Sequence, residues 1–354
     1  MGARLVFITQ RVDPDDPVLG ATVAKIEALA ARCDEVVVLA DSVVAGVLPR
    51  NCNVRLFAAR TRLGRGIRFA SALAVELVRQ PRPLAIVAHM CPVYAVLAAP
   101  FARPLGVRIL LWYTQWSRTR TLALAGRLAN AVLSVDRRSV PLGAKAYGIG
   151  HGIDVDQFRC SSRTPRSTLH AVALGRYSDS KGLPAILRGV AAARAAGLDV
   201  RLRCSGPTIT HAERAHLVSL RRLVEELGMD GAVELDGPLP RSDVPELLGG
   251  VDVLVNNTRT GAADKVVYEA CASCCPVLVS NPVFDDVLGE VEPSLRFEED
   301  DPQGLAAGLG RIAALNREER AELGRELRRR VAERHSVASW ADAVLRHAHG
   351  EGET

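Results

Sequence analysis

Aromatic side chains are scarce in this chain of 354 residues, at 4% of the total. Nucleic-acid sites pair cations with stacked aromatic rings, so the shortage argues against a nucleic-acid partner. Also missing is a secretory leader. "MGARLVFITQRVDPDD" runs from a short apolar strand straight into acids, with no basic start, long apolar stretch or small-residue cleavage site. The longest uncharged run, Pro83 to Ala102, has the length of a membrane span. It is broken by His89, Pro92 and Pro100, and reads as a buried strand, a turn and a short helix. No coiled coil, short-period repeat or low-complexity tract occurs.

Eight cysteines are scattered through the chain. Without a leader they read as reduced thiols of a cytoplasmic protein. Cys271 and Cys274 form a C-x-x-C, but a zinc site wants a second pair or histidines at ligand spacing, and a redox motif wants the pair to open a helix. Here it closes one, so these cysteines read as small packing residues.

What is present is ample core material: 48% apolar residues against 24% charged. A chain this long exceeds one core and suits two. The net charge of +5 hides an asymmetry, with 20 Lys and Arg against 10 Asp and Glu up to Val155, and 25 against 30 beyond it. The positive field therefore belongs to the N-terminal half.

Strand-like and helix-like runs alternate from the start: "RLVFIT", "ATVAKIEALAARC", "EVVVLA", "IRFASALAVELVRQ", "LAIVAH", "VRILLWYT". Such alternation predicts a parallel sheet covered by helices. The pattern pauses over a Gly-, Ser-, Arg- and Pro-rich stretch at 148–170, restarts at "AVALG", and closes with helices near 302–350. The expected organisation is α/β, with Rossmann-like doubly wound domains at 1–155 and 156–335. Ligands of two such sheets bind in a cleft beyond the carboxyl ends of the strands.

In "ALGRYSDSKGLPAILRGV", Arg176 follows a strand end, and Lys181 with Gly182 opens the next helix. Two cations beside free helix amides suit a diphosphate, though a solvated loop fits the spacing equally well. "TRTGAADKVVYEACASCCPVLVSN" carries Glu269 among apolar neighbours, which argues against a surface carboxylate. Asp264 reads either as a helix cap or as a carboxylate offered to a ligand. The amides from Ala263 through Lys265 to Val266 are available to anionic oxygens whatever the side chains do. His89, at a strand end, is a structural histidine or a contact residue. Arg60, Arg62, Arg65 and Arg68 precede an apolar-faced helix. They read as a solvated loop or as a basic edge for an anionic membrane, a polyprenyl phosphate or an acidic glycan.

These stretches together resemble glycosyltransferase family 4, the retaining glycosyl transferases group 1 of the GT-B fold. "LGRYSDSKG" is similar to its donor loop and "GHGIDVDQF" to the signature that opens its second domain. "LRCSGP" and "AVELDGPLPRSDVPELLGGVDVLVNN" follow in the family's order, and the stretch ending at Asn281 is similar to its Glu, seven residues, Glu segment. The likeness covers Gly148 to Asn281 well. Over the first domain it rests on "ITQRVDPDDPVLG" and "LLWYTQW".

The resemblance implies two Rossmann-like domains facing across a cleft, with a last helix at about 336–350 crossing back to the first. It implies metal-independent transfer of a hexosyl group from a UDP-, GDP- or ADP-sugar, with no other cofactor. The acceptor would be a glycan, a lipid-linked molecule or a small molecule, in polysaccharide or envelope biosynthesis, in the cytoplasm or at the inner face of the membrane. Arg176 and Lys181 would bind the diphosphate, Glu269 the ribose hydroxyls, and Gly20 would let backbone approach the donor. Asp13, Asp15 and Asp16 would repel phosphate and so face solvent or acceptor hydroxyls. Two positions depart from the family: Gly261 stands where the first Glu is expected, and Gln115 where a His often follows the fifth strand. A glutamine cannot exchange protons near neutral pH, but the leaving phosphate can serve as base. A degenerate nucleotide-sugar-binding scaffold and a GT-B epimerase or phosphorylase stay open as alternatives. Cys274 stands where relatives place a glycine at a helix end, a position that often needs positive φ.

Overall fold

The computed structural model describes residues 3–16, 19–115, 119–142, 145–161, 167–259 and 261–351. Part of the expected linker, at 162–166, and Trp116 of the Trp-Tyr-Thr-Gln-Trp stretch lie outside them. The chain forms two compact units, Met1–Asp154 with Arg334–Thr354, and Val155–Glu333.

The first unit runs β1 (Arg4–Ile8), β2 (Arg11–Val12), α1 (Thr22–Ala30), β3 (Glu35–Ala40), β4 (Ser42–Val43), β5 (Cys52–Leu56), α2 (Arg62–Val78), β6 (Ala85–His89), α3 (Pro92–Ala102), β7 (Arg108–Trp112), α4 (Arg120–Leu128), β8 (Ala131–Ser134) and β9 (Ala146–Gly148). Its parallel sheet is ordered β5-β3-β1-β6-β7-β8-β9. β1 and β6 are buried along their whole length, as strands covered on both faces must be. The uncharged run resolves into β6 and α3, as its prolines predict. β5 is the exposed edge strand, which its weak apolar pattern left unread.

The second unit contains β10 (Leu169–Leu174), α5 (Leu183–Ala195), β11 (Val200–Ser205), α6 (His211–Glu226), β12 (Val233–Asp236), α7 (Val244–Gly250), β13 (Val253–Asn256), α8 (Lys265–Ala272), β14 (Val277–Val279), α9 (Asp285–Leu288), α10 (Glu292–Leu295), α11 (Pro302–Ala314) and α12 (Arg317–Arg334). Its sheet, β12-β11-β10-β13-β14, is also parallel. In each sheet the strand order reverses beside the first strand, between β1 and β6 and between β10 and β13. Ligands gather at such switch points, outside the carboxyl ends of the strands.

The last helix, α13 (Val337–His349), returns to the first unit. Ser336 caps it by accepting from the Ser339 amide, and Ile153 and Ser336 pair as a short bridge. Trp340 is fully buried edge-on to Trp112, with ring centroids 5.6 Å apart. The Lys25 ammonium lies 4.6 Å from the Trp112 centroid and 5.4 Å from that of Trp340. Gly152, at φ +74°, lets this stack close, because a Cβ there would sit 2.6 Å from Lys25 Cε.

One expectation is overturned. Cys160 and Cys274 form a disulfide, so the cysteines are not all reduced thiols. The pairing joins residues 114 apart in sequence, which spacing cannot reveal. Cys274 does take the left-handed geometry of a helix end, at φ +56°. Arg328 fastens the same corner, donating to the carbonyls of Phe158 and Ala272 and, at 2.9 Å, to that of Val155.

Candidate functional site

The loops after β10 and β13 meet at the switch point of the second unit. Lys181 ends a single 3-10 turn, Asp179–Lys181, and Gly182 follows at φ +56°. That glycine is forced by close approach, since a Cβ would lie 2.2 Å from Asn257 Nδ2. The turn aims the Lys181 ammonium at the Asp264 carboxylate, to which it donates. The same Asp264 oxygen accepts from Asn256 Nδ2 at 2.9 Å and from Thr258 Oγ1 at 3.3 Å. Asp264 occupies the N-cap position of α8 yet makes no capping bond to it. Its carboxylate instead holds Lys181 and Asn256, two of the residues that, with Gly175, Arg176, Ser205 and Asn257, line the neighbouring pocket.

Capping separates the helices into two groups. α2, α4, α6, α11 and α13 begin under a side-chain cap. α1, α3, α5 and α8, which follow the four switch-point strands, do not, and neither do the short α7 and α9. Uncapped starts leave amides and the positive end of the helix dipole for an incoming anion.

Arg176 lies half-exposed beside this pocket, 3.2 Å from Glu213. The backbone amides of Thr210 and Ile209 hold the Glu213 carboxyl below its usual range, with help from Arg176. Arg259, at the far side, pairs with Asp179 at 2.7 Å.

Glu269 is buried, as its apolar neighbours predict, with 1% of its surface exposed. It is not vacant. Arg241 grips it with both ends of its guanidinium, at 2.8 and 2.6 Å, and the Lys265 ammonium stands 3.5 Å away. Burial alone would push the Glu269 carboxyl up, but Lys265 and Arg241 outweigh it and hold the pKa below the ordinary range. Burial, reinforced by Arg241, lowers that of Lys265 against the pull of Glu269. Arg241 carries no signal in the sequence. It lies on a short turn between β12 and α7, 28 residues from its partner. Val266 is buried, so that only its backbone is on offer.

Gly261 sits at φ +95°, left-handed backbone that a glutamate adopts only under strain. Asn281 braces the turn from below, donating to the carbonyls of Arg259 at 2.9 Å and Ala262 at 3.2 Å.

The first unit holds the remaining candidates. Gly20 precedes α1 in a turn where a Cβ would lie 2.6 Å from the Pro14 carbonyl oxygen, so the turn itself demands glycine. Asp13 and Asp16 shape this loop by accepting from the amides of Asp15 at 3.0 Å and Leu19 at 2.7 Å. His89 ends β6, buried against Phe7, and neither ring nitrogen has a hydrogen-bond partner among the described residues. Burial, then the nearby Lys25, drives its pKa well below 6.5, so the imidazole is neutral at neutral pH. Gln115 is exposed after β7 and accepts from the Tyr113 hydroxyl at 3.4 Å. Arg176, Lys181, Asp264, Lys265 and Glu269 thus share the second unit's switch point, whereas Gly20, His89 and Gln115 belong to the first unit.

Residues 168–314 match the family described as glycosyl transferases group 1. No curated protein matches the chain in sequence. Solved structures match it in fold. Sucrose-phosphate synthase from Thermosynechococcus elongatus aligns with a TM-score of 0.75 at 17% identity, over 98% of each chain. HepE of Anabaena, solved with UDP and glucose, gives 0.73 at 14% identity, over 98% of this chain and 99% of that one. A glycosyltransferase from Rickettsia africae gives 0.74 at 11% identity, over 99% and 98%. The architecture is therefore GT-B, as the resemblance implies.

Proposed function

Starting from a GT-B fold that carries a glycosyl transferases group 1 domain, we propose that the protein is a retaining glycosyltransferase. It moves a sugar from a nucleotide diphosphate donor to a hydroxyl of a glycan, lipid-linked or small-molecule acceptor. The observation that carries this reading is the convergence of Lys181, Asp264 and the uncapped starts of α5 and α8 at one switch point.

In this reading Asp264 is a resident anion. The donor's diphosphate takes the Lys181 ammonium and the first amides of α8, and Asp264 is left to accept from the sugar's hydroxyls. Arg176, half-exposed, can leave Glu213, whose carboxylate keeps the amides of Ile209 and Thr210 when it does. When the bond from the anomeric carbon to the phosphate oxygen breaks, negative charge grows on the departing phosphate. Lys181, Arg176 and the helix amides meet that charge, and the phosphate takes the proton of the acceptor hydroxyl attacking from the same face. Neither His89, neutral, nor Gln115 exchanges protons near neutral pH, which leaves the departing phosphate as the base. Glu269 reaches the ribose only once Arg241 turns away from it.

HepE was solved with UDP and with UDP-glucose, which makes these the first ligands to try. Thermal shifts with UDP, GDP, ADP and their sugars, followed by calorimetry on Lys181→Ala, test the proposal. Loss of one charge-assisted contact should weaken the diphosphate by about 1.5–3 kcal/mol, tenfold or more. Unchanged affinity removes Lys181 from the site. The occupied Glu269 and the glycine at 261 favour a second reading, a nucleotide-sugar-binding protein without turnover. Donor-stabilised folding with no transfer or hydrolysis over a broad acceptor set would select it.

A further inference from the structure

The arginines ahead of α2 are absorbed by nothing in the proposed reaction. From Arg55 to Arg68 the chain carries five arginines and no acid. Arg60, Arg62, Arg65 and Arg68 are all exposed. Arg65 reaches Asp41 at 3.4 Å and Arg68 donates to the Ala58 carbonyl at 2.6 Å, whereas Arg60 and Arg62 have no ion pair among the described residues. The first turn of α2 contains no acid, although the positive end of a helix dipole favours acids and opposes arginine. Gly64 and Gly66 weaken the same turns. Fold stability does not account for such a helix start.

The outer face of α2 is apolar as well. Leu63 is 76% exposed, Ile67 58% and Val78 73%, with Val75 between them. These positions recur at close to the helical period, opposite the buried Phe69, Leu73 and Leu77. α3, packed beside α2, continues the apolar surface with Val93, Leu97 and Phe101 partly exposed. A helix of 17 residues, about 25 Å long, with apolar side chains outward and arginines around its start, has the make-up of an in-plane interfacial helix.

We infer that α2 is a docking surface for an anionic lipid bilayer. Leu63 and Ile67 enter the boundary between headgroups and acyl chains, and the arginines reach the lipid phosphates along their aliphatic stems. A second copy is disfavoured, because a two-fold contact would bring an all-cationic patch against itself. A nucleic acid would neutralise the arginines but leave the leucine and isoleucine in water. No helix among the described residues is long and apolar enough to cross a membrane, so the contact is peripheral. None of this depends on the proposed reaction.

Co-sedimentation with phosphatidylcholine vesicles, with and without phosphatidylglycerol, tests it. Binding should require phosphatidylglycerol and fall as salt rises. Arg60→Ala with Arg62→Ala should weaken it by about thirtyfold, and Leu63→Ser with Ile67→Ser by roughly a hundredfold. All four side chains are exposed, so the melting temperature should not move, and Leu63→Ser alone serves if the double variant fails to fold. Absence of binding to phosphatidylglycerol vesicles overturns the inference. So does full binding by the serine variants, or heparin held as tightly as vesicles, either of which would mark a simple polyanion site or an acidic protein partner.

Discussion

Replacing Arg241 with methionine keeps an unbranched stem but removes the guanidinium and its charge, stranding Glu269 in a buried place with Lys265 alone. Removing one partner of a buried ion pair costs about 3–5 kcal/mol, because the remaining carboxylate keeps its desolvation penalty. Arg241 is 15% exposed and Lys265 stays 3.5 Å from the carboxylate, so the low end, about 3 kcal/mol, is expected. In a unit spanning Val155–Glu333 this corresponds to a drop of roughly 6–12 °C in Tm. Arg241→Met combined with Glu269→Gln should recover most of the loss, since the buried carboxylate is then gone and Lys265, partly exposed, keeps the attraction of Asp264. Differential scanning calorimetry on the four proteins of the cycle measures it. The pH dependence supplies a second check. Glu269 has a depressed pKa in the folded state, so its stabilisation is present above the ordinary carboxyl range and disappears as pH falls through the depressed value. In the Arg241→Met protein burial raises that pKa instead, and the gap to wild type should narrow from pH 7 towards pH 4.5. A loss below about 1 kcal/mol at pH 7, or a gap independent of pH, would mean that water reaches Glu269 and that the pair is not a buried lock.

Three further outcomes are expected. Gly261→Glu, which puts the family's carboxylate back into the sequence, should lower stability by about 1–2 kcal/mol because the backbone there is left-handed; urea unfolding will show whether it does. His89 is neutral when folded and protonates below pH 6.5 when unfolded, so wild-type stability should decline below that pH by up to about 1.4 kcal/mol per pH unit, and His89→Phe should flatten this limb. Dithiothreitol should destabilise the wild type by about 2–4 kcal/mol and have no such effect on Cys160→Ser, as read from thermal melts with and without reductant.

The alternation of short apolar runs and amphipathic segments was enough to place β1, β6, β10 and β13 in parallel sheets, because strand and helix periods are written locally. The turn from Gly175 to Gly182 was legible for the same reason, its glycines and cations lying within a few positions of each other. Arg241 was not. Its meaning depends on Glu269, which comes near only after α7 and α8 have packed, and nothing periodic links the two positions. The partner of Cys274 was hidden by the same kind of distance. Gly261 was visible as a missing carboxylate but not as a backbone requirement, since φ cannot be read from a single glycine. The outer face of α2 escaped for another reason: an apolar stripe reads as core until the opposite stripe is found to fill that place.

The return of α13 to the first unit has a consequence for the order in which the chain can fold as it is made. Trp340 supplies the cover for Trp112 and Lys25, and it emerges after the whole of Val155–Glu333. The second unit therefore has all its residues outside the ribosome while the first still lacks a wall of its core. The half of the protein synthesised first is the last able to finish, and a chain that stalls before Val337 would leave it open beside a finished neighbour.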